Sequence, residues 1–232
     1  MNKNIKKIAI LQSNYIPWKG YFDIIAAVDE FIIFDDMQFT KNDWRNRNII
    51  KASQGIHWLT IPVGKNINRR IRDVHIASST WQLKHWKSLE SSYKKAAYFN
   101  EIAEWLSPLY LKNKFSYLSQ LNRCFIECIC DFLNINTYIS NSWDYTLSNG
   151  KTERLVDLCH QSGATEYISG PAAKGYINDS VFHNQGIKLT WFDYSNYPSY
   201  PQLWGDFIHE VTILDLLFNC GRDAHLYMRY SP

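Results

Sequence analysis

The sequence predicts an α/β fold with a mostly parallel sheet and a helical insertion. Short apolar runs at Lys7 to Leu11 and Phe31 to Phe34 flank a segment of helical period, which is a βαβ unit. Strand-like and helix-like segments alternate again from Thr137 onward. Between the two ends, residues 79–133 carry helical spacing almost without interruption.

The elements follow in order. Lys7-Ile-Ala-Ile-Leu11 suits a strand buried on both faces, and Gln12-Ser-Asn-Tyr-Ile-Pro17 is a turn. Trp18, Phe22, Ile25 and Val28 recur at helical spacing, and Phe31-Ile-Ile-Phe34 is the next buried strand, ending at Asp35-Asp36. Arg47 to Lys51 and His57 to Val63 read as a hairpin around Ser53-Gln-Gly55, with Val74-His-Ile76 a further short strand. Trp81 to Ala97, Asn100 to Leu111 and Tyr117 to Leu133 are the helices of the insertion. Thr137 to Ser140, Glu166 to Ser169 and Ile187 to Phe192 read as strands; Lys151 to Ser162 and Phe207 to Asn219 read as helices. No linker rich in Gly, Pro or Ser interrupts the chain, so residues 1–232 are expected to form a single domain.

Composition narrows the function classes. With 46% apolar and 20% charged residues the chain is an ordinary globular protein. Its 25 Lys and Arg against 22 Asp and Glu are too balanced to call for a nucleic-acid partner. No apolar run approaches the ~18 to 20 residues a membrane span needs. The basic start Met1-Asn-Lys-Asn-Ile-Lys-Lys7 leads into an apolar run that breaks at Gln12, without a small-residue cleavage site. A cytoplasmic protein without a signal peptide is expected. The five cysteines, with Cys124, Cys128 and Cys130 on one apolar helical stretch, match no metal-binding spacing and read as free thiols.

Ligands of open α/β sheets sit beyond the carboxyl ends of the strands. After the first strand, Gln12 offers an orienting amide, Lys19 a cation, Gly20 room for close approach, and Tyr15 and Trp18 ring faces. After the second, Asp35 and Asp36 can accept a proton or hold hydroxyls, with Gln38 beside them. Trp44-Arg45-Asn46-Arg47-Asn48 mixes an indole, two guanidiniums and amides, which suits a nucleotide diphosphate. His85 follows Lys84, whose charge favours the neutral imidazole and makes His85 a candidate base. Ser169-Gly-Pro-Ala-Ala-Lys174-Gly is a turn that can cradle phosphate, although it is not a P-loop.

Six of these blocks, in order, resemble the WbqC-like family of bacterial proteins. They are Leu11-Gln12 with Tyr15-Ile-Pro-Trp-Lys-Gly-Tyr-Phe22, Phe34-Asp-Asp-Met-Gln38, Trp44 to Asn48, Lys84-His-Trp86, Ile168-Ser-Gly-Pro171 and Leu214-Asp-Leu-Leu-Phe-Asn-Cys-Gly221. The resemblance spans nearly the whole chain. It departs at Ser13, where the family usually has Pro, and at His209, where a Phe-x-Pro usually stands. A more distant likeness, in the strand–Pro17-Trp-Lys-Gly20–helix spacing, is to nucleotidyltransferases; both of that signature's histidines are absent. It implies a Rossmann-like, nucleotidyltransferase-like sheet without that group's usual chemistry.

Family members often belong to surface-polysaccharide gene clusters and have been linked to acyl or aminoacyl decoration of amino sugars. The function so implied is acyl or aminoacyl transfer to the amine of a nucleotide-activated amino sugar, with a non-catalytic nucleotide-sugar binder or an ATP-dependent ligase as the alternatives. On this reading Asp36 or His85, with Asp35 nearby, supplies the base. Arg45, Arg47 and Lys174 meet phosphate, Tyr15 and Trp18 form a stacking wall, and Gln12 and Gln38 orient the substrate. Lys19, Gly20, Asn46, Lys84 and Ser169 complete the expected substrate contacts. Acyl-CoA and ATP are the two sources of activation that this chemistry admits.

Overall fold

The computed structural model describes residues 5–232; the first four residues of the basic start lie outside the described residues. β1 (Lys7–Leu11), α1 (Lys19–Ala26) and β2 (Glu30–Ile33) form the opening βαβ unit, followed by the hairpin β3 (Arg47–Ala52) and β4 (Gly55–Thr60). The insertion holds α2 (Thr80–Tyr93), α3 (Phe99–Leu111) and α4 (Leu118–Phe132). Then come β5 (Tyr138–Asn141), α5 (Glu153–Gln161), β6 (Glu166–Ser169), α6 (Asp179–Asn184), β7 (Lys188–Trp191) and α7 (Ile213–Cys220).

The main sheet is five-stranded, in the order β5-β2-β1-β6-β7, and every pairing is parallel. This is a Rossmann-like α/β architecture. The chain extends the sheet from β1 through β2 to β5, then returns to the other side of β1 with β6 and β7. The reversal leaves a crevice beyond the carboxyl ends of β1 and β6, which is where such sheets bind ligands.

Alternation along the strands sorts the core into two layers. Ala9, Phe31 and Ile33 face α1, α7 and the insertion, where Phe22, Leu89, Phe125 and Leu217 are buried. Ile8, Ile10 and Ile32 face the opposite way, against Leu155 and Leu158 of α5 and Phe182 of α6. Both faces are therefore dry, as the continuous apolar runs require. Among the described residues, no helix is long and apolar enough to cross a membrane.

Two expectations need correction, and one element was not foreseen. The last helix begins at Ile213 rather than Phe207. Thr212 caps it by accepting from the Leu214 N–H at 3.4 Å, while Ile208 exchanges two hydrogen bonds with Gln202 instead of joining a helical ladder. The Val74–Ile76 strand reduces to an isolated bridge between His75 and Tyr117. Asp179–Asn184 is helical although periodicity did not reveal so short a segment.

From Phe192 to Val211 the chain has neither helix nor strand. This strap runs past the carboxyl end of the sheet and is tied down by side chains. Lys19 Nζ donates to Pro198 O at 2.9 Å, Lys51 Nζ to Gln202 Oε1 at 2.7 Å, and Trp204 Nε1 to Ser92 O at 2.9 Å. Loops this long in compact folds are commonly functional.

Candidate functional site

The turn after β1 is strained and clamped. Ile16 has φ +44°, a region that β-branched residues seldom enter, and is fully buried. Asn48 Nδ2 donates to Tyr15 O at 2.9 Å and to Ile16 O at 2.6 Å, and Thr212 Oγ1 donates to Ile16 O at 2.7 Å. The hairpin and the start of α7 thus hold the turn. Tyr15 and Ile16 go into the core, while Asn14, Pro17 and Trp18 face a cleft. Strain kept in place by surrounding bonds is often found where side chains must be aimed.

That cleft has a volume of about 490 Å³ and lies between the turn, the hairpin and the strap. Trp18, Trp44, Tyr194 and Tyr197 supply aromatic walls; Asn14, Asn48, His209 and Glu210 supply polar groups. Trp18 packs against Tyr194 and Tyr197 at centroid distances of 5.4 and 5.5 Å. Gly20 makes this possible, since a β carbon there would stand 2.3 Å from the indole. Among the described residues, three buried polar atoms of the residues lining it have no hydrogen-bond partner: Asn14 Oδ1, the Tyr197 hydroxyl and His209 Nδ1. Leaving such atoms unpaired costs on the order of 1–3 kcal/mol each.

His209 lies in the lining of this cleft. Burial, and then the Lys19 charge, lower its pKa below the ordinary 6.5, against an opposing pull from Glu210. The imidazole is therefore neutral at pH 7. Lys19 is itself lowered to about 8 by burial, and its ammonium lies 5.0 and 5.1 Å from the Tyr197 and Tyr200 rings.

The remaining expected residues fall in several places. Arg45 Nη1 donates to Gln12 Oε1, and Arg45 Nη2 lies 3.8 Å from Asp43. Arg47 has no carboxylate within 4 Å among the described residues, and its guanidinium carbon lies 4.1 Å from the centre of the Trp58 ring. Asn46 is buried and donates to Ile61 O at 3.0 Å, a structural bond. Gln38 is exposed and forms an isolated bridge with Arg70. Lys84 lies exposed on α2, Ser169 is buried at the end of β6, and Lys174 stands 5.5 Å from the Trp191 ring.

Tyr15 and His85 belong to the core rather than to a wall of the cleft. The Tyr15 hydroxyl bonds His85 Nδ1 at 2.9 Å and the Tyr110 hydroxyl at 2.7 Å, with no ring face open to a ligand. Burial lowers His85 to about 4, so it is neutral, but no open surface reaches it. Asp35 is also fully buried, accepting from Ser13 N at 2.8 Å, Ser13 Oγ at 2.7 Å and Ser119 Oγ at 2.5 Å. Burial raises its pKa despite these donors. The Ser13 N–H bond is one that a proline at this position could not make.

Asp36 borders a second cleft, of about 510 Å³, lined by Arg72, Tyr117, Ser119, Arg123, Asn141 and Trp143. Its carboxylate pairs with Arg72 at 2.9 Å and Arg70 at 3.5 Å and accepts from Ser142 Oγ at 2.7 Å. The oxygens of Asp36 are thus taken up by two guanidiniums and a hydroxyl, and Asp35 is closed off from both clefts, so neither presents a free carboxylate to a ligand in this arrangement.

The comparisons with known proteins agree on kinship. The model of the WbqC-like protein family matches residues 12–227, from the turn after β1 to the segment beyond α7. The chain belongs to the WbqC-like family. Rv1507c of Mycobacterium tuberculosis H37Rv, described as an uncharacterized protein, is 55% identical over 228 residues, covering 97% of this chain and 99% of its own. No solved structure matches significantly.

Sequence reasoning about this WbqC-like protein missed Asn14, Tyr194, Tyr197 and Glu210, and noted His209 only as a departure from the family pattern. The available signal was Tyr194-Ser-Asn-Tyr-Pro-Ser-Tyr200, three tyrosines in a polar, proline-containing stretch with no helical or strand period. Such a stretch has no core face of its own, so its rings must pack on another part of the molecule.

Proposed function

We propose that this protein transfers an acyl or aminoacyl group to the amine of a nucleotide-activated amino sugar in O-antigen or related surface-polysaccharide biosynthesis. The observation that carries the reading is the neutral His209, whose ring lines an aromatic cleft beyond the carboxyl ends of the sheet. Family membership supports the pathway. Aromatic faces with a few polar groups suit a sugar, whose ring stacks while its hydroxyls pair with the polar lining.

In this reading the sugar amine attacks the carbonyl carbon of an activated acyl donor. The new C–N bond forms as the bond to the donor's leaving group breaks. His209 takes the proton the amine sheds and returns it to the departing group. Trp18, set by Gly20, and Trp44 hold the acceptor so that its amine faces the imidazole.

The test is incubation with uridine-diphosphate amino sugars and either acyl-CoA or an amino acid with ATP, followed by mass spectrometry of the sugar. The expected result is a mass gain equal to the acyl group, lost in His209→Ala. Binding of the sugar nucleotide without a mass gain from any donor would return the protein to the class of binding proteins.

A further inference from the structure

The cleft does not end at its rim. Trp44 lines it and also faces Trp58 across 5.6 Å at an interplanar angle of 30°. Trp58 lies on β4, opposite Ile49 in the hairpin register, and carries the Arg47 guanidinium over its ring at 4.1 Å. Trp44 and Trp58 are 41% and 38% exposed. The hairpin therefore presents a surface of two indoles and one guanidinium, continuous with the cleft. Indoles spread on a surface suit flat aromatic ligands, because every base has a π face and stacking needs no particular hydrogen-bond pattern. Arg47, without a carboxylate partner among the described residues, is available to an anion attached to such a ligand.

We propose that Trp44 and Trp58 stack the aromatic base of a nucleoside diphosphate whose phosphates meet Arg47, leaving the attached group to enter the cleft. The inference rests on the sugar-nucleotide reading for what enters the cleft, and adds Trp58 as a binding residue and a direction for the substrate. The base lies outside, on the hairpin; the diphosphate crosses the rim; the reacting sugar lies inside, near His209.

Calorimetric titration of the full chain with uridine diphosphate, adenosine diphosphate and inorganic pyrophosphate tests it without requiring turnover. Both nucleoside diphosphates should bind at least about ten-fold tighter than pyrophosphate, because stacking on aromatic side chains favours bases of either kind. Trp58→Ala should weaken the nucleoside diphosphates about 5- to 100-fold and leave pyrophosphate nearly unchanged. Trp58→Phe keeps a ring face and should recover most of the loss, which also covers the case in which the Ala variant folds poorly. Arg47→Lys should weaken all three ligands by roughly the same factor, since it keeps the charge and loses the fork.

Equal affinity for pyrophosphate and the nucleoside diphosphates would overturn the proposal, as would wild-type affinity in Trp58→Ala. A concentration-dependent dimer in sedimentation that Trp58→Ala abolishes, with no diphosphate binding, would overturn it and assign the hairpin face to a second copy. The two readings fail separately. Stacking-dependent binding without acyl transfer counts against the transfer reaction alone. Acyl transfer with an unchanged KM in Trp58→Ala counts against the base site alone.

Discussion

Two clefts of nearly equal volume, about 490 and 510 Å³, open near the carboxyl ends of the sheet, and they differ in how their polar groups are spent. In the first, Asn14 Oδ1, the Tyr197 hydroxyl and His209 Nδ1 are buried without partners. In the second, the charges are mostly matched from within: Asp36 by Arg70 and Arg72, and Arg123 by Glu127 at 2.8 Å and by Ile139 O at 2.8 Å. Size does not separate a site from a fold in the surface. The unmet hydrogen-bonding capacity differs: among the described residues three such atoms belong to the lining of the first cleft and one, Asn141 Oδ1, to that of the second, and native proteins leave few buried polar atoms unpaired without a reason.

The largest expected effect tests that contrast directly. His209→Ala should lower acyl transfer about 10²- to 10⁴-fold, the usual range for a lost general base, with little change in melting temperature. The base works only when neutral, so activity is lost as pH falls through its pKa. Because that pKa is lowered, the acid limb of the kcat/KM profile should lie below the 6.5 of an ordinary histidine. A profile unchanged in the variant would break the assignment.

Asp36→Ala should behave in the opposite way, destabilising the fold while sparing ligand affinity. It strands two guanidiniums whose side chains are partly exposed, so the cost is about 1–2 kcal/mol rather than the larger cost of a fully buried pair. Urea unfolding reads the first effect and calorimetry the second. A large loss of affinity would show that the second cleft also binds the ligand.

Gly20→Ala sharpens the view of the first cleft. Alanine favours a helix over glycine by up to about 1 kcal/mol, but its β carbon would overlap the Trp18 indole. The expected outcome is roughly ten-fold weaker nucleotide-sugar binding, a change of about 1.4 kcal/mol, without a matching loss of stability. Unchanged affinity would remove Trp18 from the binding wall.

The smallest effect concerns the buried wall of Ser13, Asp35 and Ser119. A carboxyl whose pKa is raised above its ordinary 3.8 on folding binds its proton more tightly in the folded state, so its contribution to stability falls as pH rises through the raised value. Asp35→Asn cannot titrate. The wild-type chain should therefore lose stability relative to the variant as pH rises above about 4, read by melting temperature across a pH series. A difference independent of pH would show that Asp35 keeps its ordinary value.

We propose that sheet, insertion and strap unfold together as one domain. Phe22 of α1, Leu89 of α2, Phe125 of α4 and Leu217 of α7 share one buried cluster, so calorimetry should record a single transition.

The sequence by itself determined the elements that bury a regular apolar face. The opening βαβ unit, the hairpin, the insertion helices and the strand at Glu166–Ser169 lie within a few residues of where periodicity puts them. It also singled out the turn after β1, from which Trp18 lines the first cleft, because the residues after a parallel strand lie at its carboxyl end. Burial and partners were decided by the tertiary structure. Tyr15 and Trp18 are three positions apart in one turn, yet the positive φ of Ile16 sends the first into the core while the second faces the cleft. Asp35 and Asp36 are adjacent, yet one is buried among serines and the other pairs with arginines. His209 is nearly 200 residues from Asn14 and reaches it only because the strap is tied across the sheet through Lys19 and Lys51. Periodicity reports on faces that repeat along the chain. A site assembled from a turn, a hairpin and an irregular strap has no repeat, and its residues meet only after long-range bonds close the distance.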